Sequence, residues 1–426
     1  MILDSTMRLD DVLAGGASSP VRAGRRVGGA PFVCARADGP YAYDVEGRRY
    51  VDYVQSYGAS ILGHAHPAVV ETVQRAATLG TTYGAPTEGE VLLAEALCER
   101  VGGLEQVRLV SSGTEAAMSV VRLARGITGR STIVKFAGHY HGHSDSLLAA
   151  SGSGVAAQGL TGSAGVTRGA VADTVVAPWN VVPDLDGSVA ALIVEPVAAN
   201  MGLVAPRPDF LAELRAACDA VGALLIFDEV ITGFRLGVGG ATEAYGVRPD
   251  LWCFGKVIGG GLPVGAFGGT AAHMAHLAPL GDVYQAGTLS GNPLATAAGR
   301  AVLERLGADE YARLDAVAAR LADGLAGAFA GAGVDAVVPR VGPLVGVFFG
   351  ADEPFDYESV QRSVALGAYP VFFHAMLDAG IALAPGPYEV MFPSLAHSDD
   401  DLDRTVTAAR SAAEAVAAFV DGKAST

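Results

Sequence analysis

Lys256 ends the apolar run Leu251–Phe254 and is followed by Val257, Ile258 and three glycines, Gly259 to Gly261. An amine at the end of a buried strand loses solvation, gives up its proton more easily and can attack an aldehyde. Taken alone it is equally a surface lysine that snorkels to water. Its neighbours decide. Asp228 ends a second apolar run, Leu224–Phe227. A carboxylate there can pair with a protonated pyridine nitrogen and keep an aromatic ring electron-withdrawing. The plain alternative is a helix cap or a salt bridge. Ser111, Ser112, Gly113 and Thr114 follow Val107–Val110 and open a helix. Free backbone N–H groups, hydroxyls and the positive end of a helix dipole make a phosphate site. The same residues also make an ordinary N-cap.

Two more strand ends carry polar clusters. His139, Tyr140, His141 and His143 follow Thr132–Phe136. Alternating histidines invite a metal reading, but no carboxylate or cysteine accompanies them at ligand spacing, and no metal is expected. An aromatic ring stacked on a planar cofactor suits Tyr140, with the histidines as hydrogen-bonded structural groups. Glu195 to Asn200 follow Ala190–Val194. The turn Gly287 to Pro293 resembles an exposed phosphate contact before a helix. Neither GxxxxGKS/T nor GxGxxG occurs, which disfavours kinases and dehydrogenases.

These residues need an open α/β sheet, which binds ligands at the carboxyl ends of its strands. The middle of the chain supplies the pattern, with apolar strands alternating with amphipathic helices. Helices are expected at Thr114–Arg125, Asp209–Val221, Asn292–Arg305 and Glu310–Gly333. Later runs, LVGVFFG, IALAPGPY and EVMFPSLA, read as strands, and a last helix starts at Ser398 to Asp401. The expected organisation is an arm with short strands at 1–65, a large domain at 66–306 and a small α+β domain at 307–426. The Gly- and Ser-rich stretch Ala149 to Ala172 has no periodicity and is either a surface insertion or an active-site lid.

Composition limits the partners. The chain has 426 residues, 17% of them charged, and a net charge of −16, which argues against nucleic acid. No run of 18 uncharged apolar residues appears, so no membrane span is expected. The four cysteines are scattered without a CxxC pair. A cytoplasmic enzyme is the expectation.

The motifs SSGTEAAMSVVRLARG, FAGHYHGH, VEPVAANMG, LLIFDEVITGFR, CFGKVIGGGLPVGAFGG and YQAGTLSGNPLA resemble those of class III aminotransferases. The arm ASSPVRAGRRVGGAP and YQAGTLSGNP resemble the glutamate-1-semialdehyde aminomutase branch, and the likeness spans roughly residues 15–405. The resemblance implies the fold type I architecture of enzymes dependent on pyridoxal 5'-phosphate (PLP), with a mainly parallel central sheet. It implies PLP and pyridoxamine 5'-phosphate (PMP) as cofactor forms and a homodimer with shared active sites. Lys256 is then the Schiff-base lysine and proton shuttle. Asp228 pairs with the pyridine nitrogen, Val230 packs on the ring and Tyr140 stacks on its other face. Ser112, Gly113 and Thr114 hold the phosphate, with Thr288 from the partner subunit, and Asn200 lies near the phenolic oxygen. Arg22, with Ser19 beside it, takes the carboxylate of a small amino-aldehyde substrate, and Tyr57, Ser153 and Glu389 line the substrate pocket. The loop from Ala149 is the gate.

The implied activity is intramolecular, converting glutamate-1-semialdehyde through 4,5-diaminovalerate into 5-aminolevulinate for tetrapyrrole synthesis. The chain departs from the branch outside the cofactor set. Tyr57-Gly58-Ala59 stands where Trp-Gly-Pro is usual, Ser111 where Asn is, Ala137 where Glu is and His139 where Cys is. Gly386-Pro387-Tyr388-Glu389-Val390-Met391-Phe392 replaces Ser-Gln-Phe-Glu-Ala-Gly-Phe. The second reading is an intermolecular aminotransferase acting on a β-amino acid or a biosynthetic intermediate. A third is a catalytically dead binding homologue.

Overall fold

The computed structural model describes residue 9 and residues 11–30, 32–149 and 162–424. Strands β1 (Cys34–Asp38), β2 (Tyr41–Asp44) and β3 (Arg49–Asp52) form an antiparallel meander. The large sheet is built from β4 (Gln106–Val110), β5 (Thr132–Phe136), β6 (Thr174–Ala177), β7 (Val189–Val194), β8 (Leu224–Glu229), β9 (Leu251–Phe254) and β10 (Gly265–Gly269). Its order is β4-β10-β9-β8-β7-β5-β6. β5 to β9 pair in parallel, and β10 runs antiparallel to both of its neighbours. All six residues of β7 are buried, as expected of a central strand with helices on both faces.

The helix Gly113–Thr128 shows how sequence places the site. Ser112 caps it, its Oγ accepting the Glu115 N–H at 3.2 Å, and Gly129 ends it in the left-handed region. Its small buried face, Ala116, Ala117, Val120 and Ala124, packs on the sheet core. The helix start is thereby fixed against the end of β4.

β10 was not expected, because GAFGG carries little side chain to read. The structure explains the glycines. A Cβ on Gly265 would lie 2.3 Å from the Ser112 carbonyl oxygen, and one on Gly268 would lie 2.4 Å from that of Gln106. The strand must press against β4 and the helix start, and only glycine permits this.

The later strands are shorter than the sequence suggests. They reduce to β11 (Ala336–Val337), β12 (Arg340–Val341), β13 (Leu344–Val345), β14 (Phe348–Phe349) and β15 (Ile381–Ala382). Gly346 interrupts LVGVFFG, Pro385-Gly386-Pro387 interrupts the next run, and EVMF retains one bridge, Val345 to Met391. Proline removes a ladder donor, so pairing stops there. β15 joins β3 in parallel, which ties the first strands to the C-terminal part. A second core forms there from Tyr53, Leu321, Phe329, Phe372 and Ala409 among others, packed by the helices Ala308–Gly331, Tyr369–Asp378 and Asp399–Ala424. Among the described residues no helix is long and apolar enough to cross a membrane.

Candidate active site

A cavity of about 400 Å³ opens at the carboxyl ends of the large sheet. Arg22, Ser112, Gly113, Thr114, Tyr140, Asn200, Asp228, Val230 and Lys256 all line it. Five separate strand ends and the N-terminal arm therefore converge, as the crevice rule requires.

Lys256 follows β9 in a backbone with φ 47°. A left-handed lysine is strained, and such strain collects at functional positions. Burial pushes its amine below the ordinary lysine range, while the charges of Asp228, Glu195 and Glu389 oppose that shift. Asp228 is 5% exposed. Its Oδ1 accepts the Val230 N–H at 3.1 Å, and its Oδ2 lies 2.7 Å from His141 Nδ1. Burial pushes its carboxyl up to about 6, against the pull of the Val230 N–H and of Lys256. His141 is held well below its usual range by burial first, then by the charge of Lys135. A neutral ring donating Nδ1–H to Asp228 fits both, and fixes the carboxylate's direction.

Two glycines make room for Val230 in the floor. A Cβ on Gly113 would meet the Val230 methyls at 3.1 and 3.2 Å, and one on Gly255 would meet Val230 Cγ1 at 3.2 Å. Val230 is wedged between the two and faces the cavity. Thr114 Oγ1 lies 3.3 Å from His143 Nδ1 and also bonds the Tyr140 hydroxyl. The three histidines thus serve Glu195, Asp228 and Thr114 separately, since His139 Nδ1 accepts the Glu195 N–H at 3.1 Å.

The substrate-side residues are gathered less completely. Arg22, exposed on the turn Pro20–Ala23, reaches the cavity, but Ser19 does not line it. Ser19 instead accepts the Arg22 N–H through its carbonyl at 3.0 Å. Tyr57 lies in a run of left-handed residues, Gln55, Ser56 and Tyr57. It lines a neighbouring chamber that shares Arg22 with the first. Glu389 is within electrostatic reach of Lys256, and its carboxyl is pushed up to about 7 by burial. Thr288 is exposed and away from the cavity of its own chain. Ser153 lies outside the described residues, as does most of the first half of the 149–172 stretch.

Sequence reasoning gave no specific role to Glu195, Lys135 or Arg235. Arg235 is fully buried, with Nη1 donating to the Pro393 carbonyl at 2.9 Å and Nη2 to that of Gly58 at 2.8 Å. It pins the strained Tyr57 turn to the C-terminal segment. A charged residue inside the otherwise apolar ITGFRLGVGG was the available signal.

The aminotransferase class-III family model matches residues 23–412. The chain belongs to this family. Two curated relatives of this class III aminotransferase, from Syntrophus aciditrophicus (strain SB) and Syntrophobacter fumaroxidans (strain DSM 10017 / MPOB), are 52% and 53% identical over 408 residues. Each match covers 94% of both chains, and both relatives are named glutamate-1-semialdehyde 2,1-aminomutase. Among solved structures, an omega-transaminase from Sphaerobacter thermophilus is 32% identical with a TM-score of 0.87, covering 97% of each chain. A glutamate-1-semialdehyde aminomutase from Pseudomonas aeruginosa PAO1 in complex with PMP is 26% identical with a TM-score of 0.86, covering 97% of this chain and 94% of that one. The architecture is fold type I, with a mainly parallel sheet flanked by helices.

Proposed function

We propose that this chain is a PLP- and PMP-dependent glutamate-1-semialdehyde 2,1-aminomutase that makes 5-aminolevulinate through 4,5-diaminovalerate. The observation that carries the reading is the convergence of Lys256, the Asp228–His141 pair and the Ser112–Thr114 helix start on one cavity with Arg22 on its arm side. The 52% identity to named aminomutases over 94% of the chain supports it.

The residues fit the cofactor. Gly113 and Gly255 let Val230 pack into the cavity floor, a carboxylate and a buried amine line the same cavity, and a helix N-terminus offers N–H groups to a phosphate. When bound, PLP supplies an electron sink that makes a carbon beside nitrogen acidic. Asp228, oriented by His141, would keep the pyridine nitrogen protonated. Ser112, Gly113 and Thr114 would hold the phosphate, Val230 and Tyr140 would pack on the ring, and Asn200 would serve the phenolic oxygen. Nζ of Lys256, its hold on a proton weakened by burial, would take a proton from a substrate carbon and return it at another. Arg22 orients the substrate carboxylate through its planar fork, with Tyr57 and Glu389 as further pocket walls.

We place the chain in a homodimer. Leu280, Tyr284 and Leu289 flank Thr288 and are 78%, 71% and 55% exposed, an apolar face suited to a second copy that would bring the partner subunit's Thr288 to the phosphate. We divide the chain into an arm at 1–65, a large cofactor domain at 66–306 and a small domain at 307–426, and we assign the enzyme to tetrapyrrole synthesis in the cytoplasm.

An intermolecular aminotransferase is the second reading, favoured by the omega-transaminase fold likeness and by Tyr57 in the substrate wall. Turnover separates the two. The aminomutase converts glutamate-1-semialdehyde with no added amino donor. A strict need for a donor overturns the proposal.

A further inference from the structure

Glu195 is one of the most heavily bonded side chains at the cavity. It follows β7, is 4% exposed and lines the site. Its Oε1 accepts the Tyr140 N–H at 2.6 Å, and its Oε2 accepts the Ala199 N–H at 2.9 Å. The Asn200 side chain bonds the same carboxylate. These donors belong to two separate segments, one after β5 and one after β7. An ionised carboxylate accepts at about four lone-pair sites and donates at none, so it suits a point where several donors meet.

The carboxylate is itself held. Its own N–H donates to His139 Nδ1 at 3.1 Å. The carbonyl of His139 accepts from Lys135 Nζ at 3.1 Å, and Lys135, fully buried, donates also to the Leu147 carbonyl at 3.2 Å. Burial pushes the Lys135 amine down to about 7, against the pull of Glu195, and the Glu195 carboxyl up to about 7, against the Ala199, Tyr140 and Asn200 donors that favour its ionised form. A loosely packed structural acid would not need this much fixing.

We infer that Glu195 is a positioning residue whose carboxylate sets Tyr140 and Asn200 in one fixed relation, and so governs cofactor affinity and electronics. The inference rests on the PLP reading above. Tyr140 and Asn200 are the groups assigned to the ring face and the phenolic oxygen, and both hang from the same acceptor. His139, where Cys is usual in the branch this chain resembles, orients that acceptor through its backbone.

The test is equilibrium binding of PLP, read by its visible absorption band, with melting temperature measured alongside. Wild-type protein is titrated first. If it shows neither saturable binding nor a visible band, the PLP reading fails, whatever Glu195 does. With wild type binding, Glu195→Gln offers one oxygen and one NH₂, so a donor faces a donor. The expected result is a Kd raised roughly tenfold or more, the scale of one unsatisfied buried hydrogen bond. A displaced band and a lower kcat with little change in KM should accompany it. Glu195→Asp keeps the charge but is one methylene shorter and reaches only one of the two segments. Its Kd should fall between wild type and Glu195→Gln. If Glu195→Gln does not fold, Glu195→Asp decides on the same two readouts. Wild-type Kd and band in the folded variants, with only the melting temperature lowered, would make Glu195 a stabilising group and overturn the inference.

Discussion

Asp228 and Arg22 face the same cavity and are held in opposite ways. Asp228 is 5% exposed and fixed by bonds from Val230 and His141 inside the large sheet. Arg22 is exposed on a short N-terminal turn whose backbone leans on Ser19. The cofactor floor is a product of strand ends that the fold dictates. The proposed substrate wall draws on the arm, the left-handed Tyr57 turn and the segment around Glu389. Departures from the resembled branch at Tyr57, Ala59 and around Glu389 fall on the wall side, and those at Ser111, Ala137 and His139 lie beside the floor, whose own cofactor set is unchanged. A rigid floor preserves the chemistry, and a pieced-together wall can change the substrate without disturbing it.

Each prediction tries to separate floor from wall. The largest effect is expected for Lys256→Ala, which should lower kcat on the order of 10³-fold or more and still bind PLP. Appreciable turnover in that variant breaks the floor's central assignment. Asp228→Asn keeps the shape but not the charge, and kcat should fall roughly 10²- to 10³-fold, the scale of one preorganised electrostatic group. A wild-type kcat there would show that the pyridine nitrogen needs no anion. Arg22→Leu should raise KM by ~10- to 100-fold, the scale of one charge-assisted hydrogen-bonded pair. PLP affinity should stay at its wild-type value. Equal loss of PLP affinity would merge wall and floor.

Mixing Lys256→Ala with Thr288→Ala subunits under exchange should restore about one quarter of the sites in a symmetric dimer. No recovery despite proven exchange removes Thr288 from the shared site. The smallest effect is in pH. In the cofactor-free protein burial pushes the Asp228 carboxyl from an ordinary 3.8 up to about 6. The folded protein then holds a proton that the unfolded chain releases, so this group's stabilisation is present at low pH and lost as pH rises through that window. PLP needs the ionised form, so its affinity should weaken by up to about tenfold per pH unit below 6. Asp228→Asn should flatten both slopes. A slope that survives in the variant belongs to another group.

Much of the floor was legible because it follows from local rules. Polar residues after apolar runs mark strand ends, and a Ser-Gly-Thr turn marks a helix start. What stayed hidden depended on contacts between distant segments. His141 and Asp228 are 87 positions apart, and Arg235 meets Gly58 and Pro393 at separations of 177 and 158. No local pattern announces such partners. β10 was missed for the opposite reason, since its glycines exist to vanish against β4. The C-terminal strands were overread because apolar runs outweighed the Gly and Pro inside them.

The chain offers a direct test of its central residue, because it contains only three lysines, Lys135, Lys256 and Lys423. Lys135 is buried with its Nζ on two carbonyls, and Lys423 donates to the Leu366 carbonyl from the C-terminal helix. Borohydride reduction of PLP-loaded protein, followed by peptide mass mapping, should find the cofactor joined to the peptide that carries Lys256. Attachment at Lys135 or Lys423, or none at all, would contradict the account.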